Sequence, residues 1–450
     1  MDTESIATRT PTPRTGTGAA LAVCAAVGPL GMAAAVLLLP YSFADAPEVW
    51  IAAVAGAGAR TEAAFWGLLV WGVLAPVGVI AAGLVARRGA PRTGTAGLVA
   101  AFAGAAAFGA AGWGYDGIAL AASRAGLDPP AVAALMAEVD RLQAPTASAA
   151  LVLAMFVGFV LLGAALWIGR DVPRWAAVAL IVSPVVILLG GMFSMPVNAA
   201  GFVLVAVAFG ACGAALARGA RGPRPGTRSR WALAAVGTAA PLSMAVWALV
   251  IPSAVGGSYA QGLPRFAAAE GRVEASLWML FAFSLCCAVG AVVTGLVSRR
   301  GAPRTGTAGL VATYLGFAAL NVGGSAYAGA ALASIRAGNP DAVTGAVLSE
   351  VDALTVALGP AVFVPLMFAG VVLLGIGLWA GREVPRWSVA ALWAAFPVIA
   401  VGTPFSMGLN AAGWVLLAVG FGAAGAAWAR GPELDEGHTE HIRHSGTKNA

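Results

Sequence analysis

Charged residues are scarce in this chain. Of its 450 residues only 10% are charged, whereas 60% are apolar, and the mean hydropathy is +0.85. Soluble globular domains carry about 25% charged residues, so the composition excludes an ordinary soluble domain. Apolar stretches of about 20 residues, each long enough to cross the hydrocarbon of a bilayer, recur along the whole sequence. The sequence therefore predicts an all-α integral membrane protein.

Lysine and histidine are absent from the apolar stretches. The only lysine, Lys448, and all three histidines, His438, His441 and His444, lie in the polar C-terminal tail. This distribution excludes a bis-histidine haem and a retinal Schiff base within the membrane. The HxxHxxH spacing leaves open a weak metal site, but the polar composition favours a disordered tail. We expect no metal and no cofactor.

The residue groups of common membrane enzymes are also missing. The four cysteines lie in apolar segments, with neither metal-ligand spacing nor a disulfide framework. The sequence has no intramembrane acidic pair for diphosphate chemistry, no HExxH zinc motif and no nucleophile paired with a base. An enzyme is therefore disfavoured, although an isomerase or cyclase that depends on Asp and Tyr remains an alternative.

One phrase of fourteen residues, RRGAPRTGTAGLVA, occurs twice, at 87–100 and again at 299–312. Four shorter matches keep the same offset of 212 without insertion or deletion: PLGM/PLSM at 29 and 241, VPRW at 172 and 384, FSM at 193 and 405, and NAAG at 198 and 410. This regularity predicts a tandem duplication. The predicted units are 18–217, the first half, and 230–429, the second half.

Six apolar spans are predicted in each half. They are 18–40, 63–86, 95–123, 147–169, 174–193 and 197–217, and then 230–252, 273–297, 307–335, 358–380, 386–405 and 409–429. An even number of spans returns the chain to its starting side, so the halves would be parallel repeats. The prediction is twelve transmembrane helices as two tandem parallel six-helix repeats, with a tail at 1–17, a linker at 218–229 and a tail at 430–450.

The distribution of basic residues gives the orientation. With the N-terminus in the cytoplasm, twenty Lys and Arg residues lie inside, and six lie outside: Arg60, Arg124, Arg141, Arg265, Arg272 and Arg336. The positive-inside rule therefore predicts a cell-membrane protein with both termini cytoplasmic. The Arg-rich linker is expected to contact anionic lipid headgroups, and no nucleic-acid partner is expected. The sequence leaves the oligomeric state open.

The repeated phrase forms the predicted turn between the second and third spans of each half. Gly83, Arg88 and Arg92 match a G-x-x-x-D-R-x-G-R-R type motif at this place, with Arg87 where that motif has an acid. Together with the span count, the turn resembles the major facilitator superfamily, which implies a transporter with an inner gate here. It also resembles uncharacterised duplicated membrane proteins of bacteria, which imply no activity. The second copy contributes Arg299, Arg300 and Arg304.

A plain topological turn is the alternative interpretation of this phrase. Pro and Gly would break the helix, arginine would hold the turn in water and headgroups, and Thr93 or Thr95 would cap the next helix.

Few polar groups lie within the spans, and each is a candidate for function because its burial in hydrocarbon is costly. Asp116 lies near the outer end of the third span, beside Tyr115; its counterpart in the second half is Ala328, whereas Tyr115 corresponds to Tyr327. Asn321 is a further isolated polar residue. These are the candidate proton or substrate residues, and drift at a wetted helix end is the alternative.

Charged residues repeat at the predicted outer ends of the spans. They are Arg60, Glu62 and Arg124 in the first half and Arg272, Glu274 and Arg336 in the second. An outer gate and ordinary interfacial ion pairs are both compatible with this pattern. Asn198 and Asn410 are predicted to cap the helices that follow them.

Each half also carries one amphipathic segment outside the bilayer. Asp128-Pro129 and Asn339-Pro340 have the pattern of a helix start. The apolar residues that follow fall on one face, so each helix is predicted either to lie on the bilayer or to cap the bundle. A lid is the alternative to such surface packing.

Architecture alone favours a secondary transporter or exporter of an unidentified small molecule, with proton coupling through Asp116. The scarcity of intramembrane polar groups favours the alternative, a membrane scaffold, immunity or assembly protein without transport activity.

Overall fold

The computed structural model describes residues 15–143, 149–219, 225–252, 259–355, 362 and 364–431, without the side chains of 15–18, 109–114, 149, 259–261 and 321–326. Within these residues the chain forms sixteen α-helices and no strand. They are α1 Thr15–Leu38, α2 Pro47–Gly56, α3 Gly58–Gly89, α4 Pro91–Arg124, α5 Pro129–Gln143, α6 Ala149–Gly169, α7 Arg174–Phe193, α8 Met195–Ala217, α9 Thr227–Val250, α10 Tyr259–Ala268, α11 Glu270–Gly301, α12 Pro303–Arg336, α13 Asp341–Thr355, α14 Val364–Gly381, α15 Arg386–Phe405 and α16 Met407–Arg430.

Ten helices of the described chain are long and apolar enough to cross a membrane: α1, α3, α6, α7, α8, α9, α11, α14, α15 and α16. A helix of 20 residues is about 30 Å long, which matches the hydrocarbon thickness. Large apolar side chains lie on the surface of these helices, including Phe193 and Phe405, which are 78% and 76% exposed. This surface suits lipid rather than water, and the fold is that of a helical, multi-pass membrane protein.

The long helices of each half pack in a ring. In the first half α1, α3, α4, α6, α7 and α8 each contact the next, and α8 returns to contact α1. In the second half α9, α11, α12, α14, α15 and α16 repeat this order. Several helix bounds also recur at the offset of 212, such as Gly58–Gly89 with Glu270–Gly301 and Pro91–Arg124 with Pro303–Arg336.

The two halves meet along α3 and α4 on one side and α11 and α12 on the other. In this interface the Tyr314 hydroxyl of α12 donates a hydrogen bond to the Val73 carbonyl of α3, at 2.5 Å. Tyr314 lies about 17 Å along α12, roughly one third of the length of the helix. Its counterpart in the first half is Phe102, so the bond has no symmetric copy.

Four short helices, α2, α5, α10 and α13, cover one end of both rings, which we call the cap face. The opposite end, with the two RRGAPRT turns, is the basic face. The apolar residues of α5 and α13 are buried within the protein, and α5 contacts α12 while α13 contacts α4. The amphipathic helices therefore cap the bundle, and each reaches across to the other half. Of the four, α2 and α10 were not predicted from the sequence.

The threonine cap predicted at the start of α4 is wrong. Helix α4 begins at Pro91 with Ala90 as N-cap, and the Thr95 hydroxyl donates to the Pro91 carbonyl at 2.7 Å instead. The cause is the proline, which suits the first helical position and starts the helix earlier. Neither threonine caps a helix there, since α4 has no side-chain cap.

The predicted caps at Asn198 and Asn410 are also wrong, because α8 and α16 begin earlier, after Ser194 and Ser406. Asn198 is buried and donates from Nδ2 to the Ile187 carbonyl of α7, at 2.7 Å. Each asparagine thus ties two neighbouring helices together. The predicted helix start at Asp128 holds, since its Oδ1 accepts from the Ala131 amide at 3.0 Å. The one at Asn339-Pro340 is wrong, because α13 begins at Asp341 and the Asn339 side chain donates to Ser334 instead.

Candidate functional site

Asp116 lies near the cap-face end of α4, about 38 Å from the start of this helix. Its side chain is 5% exposed, and it is the one buried carboxylate among the residues whose burial is described. Oδ1 of Asp116 accepts a short hydrogen bond from the Tyr41 hydroxyl. A buried carboxylate with a hydroxyl donor is a group that can take up and release a proton.

Two further aromatic rings, those of Trp50 and Tyr115, lie beside this pair. The ring of Trp50 lies 5.7 Å from that of Tyr41 and 5.4 Å from that of Tyr115, measured between centroids. The Tyr115 hydroxyl donates to Oδ2 of Asp140 in α5, at 3.3 Å. Burial, and after it the charge of Asp116, raise the pKa of Tyr41 well above its usual value. The phenol therefore stays protonated and acts as the donor.

Local sequence explains how Tyr41 and Trp50 reach Asp116. Between α1 and α2, the Ser42 amide donates to Oδ2 of Asp45 at 2.7 Å, which closes a tight turn beside Tyr41. Pro47 then starts α2, since its fixed φ suits a first helical position, and α2 presents Trp50 three residues later. Tyr41, Trp50 and Asp140 were not predicted from the sequence as site residues. The YSFADAPEVW segment indicated two of them, since it has three aromatic residues directly after a span.

The second half has Ala328 in place of Asp116 and a different polar cluster at the cap-face end of α12, six residues further along the chain. Ala328 is 2% exposed. The hydroxyls of Ser334 in α12 and Thr344 in α13 lie 2.8 Å apart, and Nδ2 of Asn339 donates to the Ser334 hydroxyl at 3.1 Å. Tyr327 is half-buried and packs against the apolar core of the cap.

Two sets of predicted residues lie outside the described part. They are the side chain of Asn321 and the tail that holds His438, His441 and His444.

The structure brings four of the six predicted outer charges into ion pairs at the cap face. Arg124 at the end of α4 contacts Glu62 of α3, at 2.7 Å. Arg336 at the end of α12 contacts Glu274 at 2.8 Å and also Glu270 at 3.0 Å, both in α11. All these side chains are partly exposed, and each pair links neighbouring helices of the same half.

Arg60 and Arg272 instead donate hydrogen bonds to carbonyls at the ends of helices. Arg60 donates to the Leu37 and Leu39 carbonyls, at 3.1 and 3.2 Å. Arg272 donates to the Val250 and Leu249 carbonyls, at 3.0 and 3.2 Å. The last carbonyls of a helix have no partner in the helix, and a cation there also suits the helix dipole. These two arginines therefore fasten the ends of α1 and α9.

The two basic turns are held by matching contacts. Arg88 pairs with Asp171 at 3.0 Å, and Arg300 with Glu383 at 2.6 Å. The acids lie in the α6–α7 and α14–α15 connections, and the sequence analysis missed both. Their signal was present, since each acid directly precedes a repeated VPRW. Of the remaining predicted arginines of these turns, Arg92, Arg299 and Arg304 are exposed and Arg87 is half-buried.

Glycine explains the tight packing beside each basic turn. A Cβ built on Gly89 would lie 2.2 Å from Cα of Gly169, and one on Gly301 would lie 2.2 Å from N of Gly381. Only glycine therefore lets α3 meet α6, and α11 meet α14, at this distance. The repeated phrase encodes a helix end, an ion pair and a close helix contact together.

No group of three or more His, Cys, Asp and Glu residues placed to hold a metal occurs within the described part of the chain. The chain matches no protein-family model, and comparisons with curated proteins and with solved structures also found no match.

Proposed function

We propose that this chain is a proton-coupled secondary transporter or exporter of a small molecule. In this proposal it spans the cell membrane twelve times, as two parallel six-helix repeats, with the basic face and both termini in the cytoplasm. The observation that carries the proposal is the buried carboxylate of Asp116 under the cap, in a helix that faces the other half.

The helix lengths support twelve spans. Besides the ten apolar candidates, α4 and α12 have 34 residues each, about 51 Å, which exceeds the hydrocarbon thickness. Both helices lie in the ring between two candidate spans. If each crosses the membrane, every half has six spans, and the recurring helix bounds follow from a duplication.

The packing between the halves supports transport by alternating access. At the cap face, residues of α4 and α12 share one apolar core with all four short helices. This shared core closes the interface at the cap face, which suits alternating access, in which two halves rock about a site between them.

The Tyr41–Asp116 pair supports the coupling step. Tyr41 belongs to the loop beneath the cap, whereas Asp116 belongs to α4, so separation of cap and helix would break their hydrogen bond. Protonation of Asp116 removes the charge that the Tyr41 hydroxyl stabilises. A proton taken up here would therefore favour release of the cap, which links protonation to opening.

Transport assays with Asp116→Asn test this proposal. Secreted metabolites of cells that produce the wild type would be compared with those of cells without it, and the compounds that differ would be offered to proteoliposomes under a pH gradient. We expect gradient-driven flux with the wild type and with the control Asp352→Asn, and its loss with Asp116→Asn. Gradient-driven flux that persists in Asp116→Asn would exclude Asp116 as the proton site.

A membrane scaffold or assembly protein is the second candidate function. The reciprocal packing of α5 on α12 and α13 on α4, with the Tyr314–Val73 bond, favours it, since these contacts tie the halves together. A wild type that moves no compound, and whose halves stay fixed in distance measurements between spin labels under a pH gradient, would favour this function over transport.

A further inference from the structure

An open groove of about 490 Å³ lies at the cap face of the second half. Its wall combines the end of α9, the end of α10, the start of α11 and the start of α16. The lining residues are Ala248, Leu249, Ile251, Pro252, Arg265, Ala268, Ala269, Arg272, Met407 and Gly408. The groove is thus mostly apolar, with two guanidinium groups.

Positive charge dominates this groove. Neither Arg265 nor Arg272 faces a carboxylate among the described residues that line it. The nearest acids along the chain, Glu270 and Glu274, both pair with Arg336, at 3.0 and 2.8 Å. Arg272 is held in place by the Leu249 and Val250 carbonyls, and a guanidinium has further N–H groups to donate.

The start of α16 adds a third feature that favours an anion. The first amides of a helix have no partner within it, and the helix dipole makes this end positive. The Ser406 hydroxyl accepts from the Leu409 amide, one residue beyond Gly408. A Cβ on Gly408 would meet only Oγ of Ser406, at 3.5 Å, so the backbone at Gly408 is open to the groove.

The first half lacks two of these three features. Ala53 stands in place of Arg265, and Pro196, which has no amide hydrogen, stands in place of Gly408. Only Arg60, the counterpart of Arg272, is retained. The basic groove is therefore a property of the second half alone and not a by-product of the shared backbone.

We infer that this groove binds the headgroup of an anionic phospholipid. The two guanidinium groups and the Gly408 amide would hold the phosphate, since guanidinium groups and helix N-termini both suit this anion. Leu249, Ile251 and Met407 offer an apolar wall to the first part of an acyl chain. The groove lies at the ends of three candidate spans, α9, α11 and α16, where headgroups are found.

Photolabelling in nanodiscs tests the inference. The protein would be labelled with a photoactivatable phosphatidylglycerol, and the labelled groove peptides would be quantified against labelled peptides of the basic face. We expect Arg265→Ala and Gly408→Pro to reduce groove labelling about threefold to tenfold. Both variants introduce the residue of the first half, and unchanged thermal unfolding would show that they fold.

Matched controls separate the anion site from general effects. Gly408→Ala keeps the amide, and Arg141→Ala removes an equal charge elsewhere on the cap face, so both should label like the wild type. Equal labelling by photoactivatable phosphatidylcholine, or full labelling of Arg265→Ala and Gly408→Pro, would overturn the inference. Loss of labelling in sodium phosphate, but not in sodium chloride of equal ionic strength, would assign the groove to free phosphate instead of lipid.

Discussion

The two halves of this protein agree at the basic face and differ in the buried polar groups beneath the cap. At the basic face each half has an Arg–acid pair beside a glycine contact, at the same offset of 212. At the cap face the first half buries Asp116 against Tyr41, whereas the second half has Ala328 and a cluster of Ser334, Thr344 and Asn339. The helices are alike, but the side chains beneath the cap are not.

This difference separates what the architecture requires from what a function requires. The matched glycines and ion pairs hold neighbouring helices of one half, so both halves need them. The Tyr41–Asp116 pair and the basic groove each occur once, so the fold does not depend on a second copy. We therefore expect the activity of this chain to depend on the features that occur in one half only.

The largest effect is expected at the matched glycines. Gly89→Leu and Gly301→Leu would force α3 from α6 and α11 from α14, because the built Cβ lies 2.2 Å from backbone atoms. We expect each to destabilise the protein by about 3 kcal/mol. Thermal unfolding in micelles would measure this. Gly56→Leu is the control, since nothing lies within 4 Å of its Cβ. A large loss in one half only would contradict the matched packing.

Placing a carboxyl group at the corresponding position of the second half should have the next largest effect on stability. Ala328→Asp would bury a carboxyl group in α12, where the second half has Gly262 at the position of Trp50 and Ser253 instead of the Tyr41 phenol in sequence. We expect a loss of about 2–3 kcal/mol, since a buried polar group without a partner is costly. Ala328→Val, a larger but apolar change, is the control. Denaturant titration that finds Ala328→Asp as stable as the wild type would show that the two sites are equivalent.

The third prediction concerns the cluster of Ser334, Asn339 and Thr344. Replacing all three side chains should destabilise the protein less than the single replacements do in sum. Thr344→Val leaves the Ser334 hydroxyl without one partner, and we expect a cost of about 1 kcal/mol. The triple variant Ser334→Ala, Asn339→Leu and Thr344→Val introduces the first-half residues Ala122, Leu127 and Val132. It should cost less than the sum of the single changes. Strict additivity in unfolding measurements would argue against a coupled cluster.

The ion pairs of the basic face should give the smallest effect. Arg88 is 42% exposed and Asp171 is 20% exposed, so water and salt screen their attraction. We expect Arg88→Ala and Arg300→Ala each to cost about 0.5 kcal/mol, and less in high salt. Unfolding at two salt concentrations would test this, with exposed Arg92→Ala as control. A salt-independent cost above about 2 kcal/mol would show a different role for the pair.

Much of the architecture could be predicted from the sequence because it depends on local signals. Apolar runs, the repeated phrase and proline positions predicted long helices whose order the structure retains. The predicted caps at Thr93 or Thr95, Asn198 and Asn410 were wrong, since the helices begin a few residues earlier, at Pro91 and directly after Ser194 and Ser406.

The site was less predictable, because its partners are distant along the chain. Asp116 was identified as an isolated acid, but Tyr41 lies 75 residues away and Asp140 sits on a separate helix. Arg60 was grouped with Glu62 by proximity in sequence, yet it serves the end of α1. Hydrophobic periodicity indicates which face of a helix is buried, but not which loop lies over it.

Accessibility of the two basic turns tests the central claim, parallel halves, most directly. Arg92→Cys and Arg304→Cys would be labelled in intact cells and in opened cells with a maleimide that does not cross membranes, with Arg141→Cys as the cap-face reference and the wild type as background. We predict that both turns react only in opened cells, and that position 141 reacts in intact cells. Labelling of the two turns from opposite sides would contradict the account.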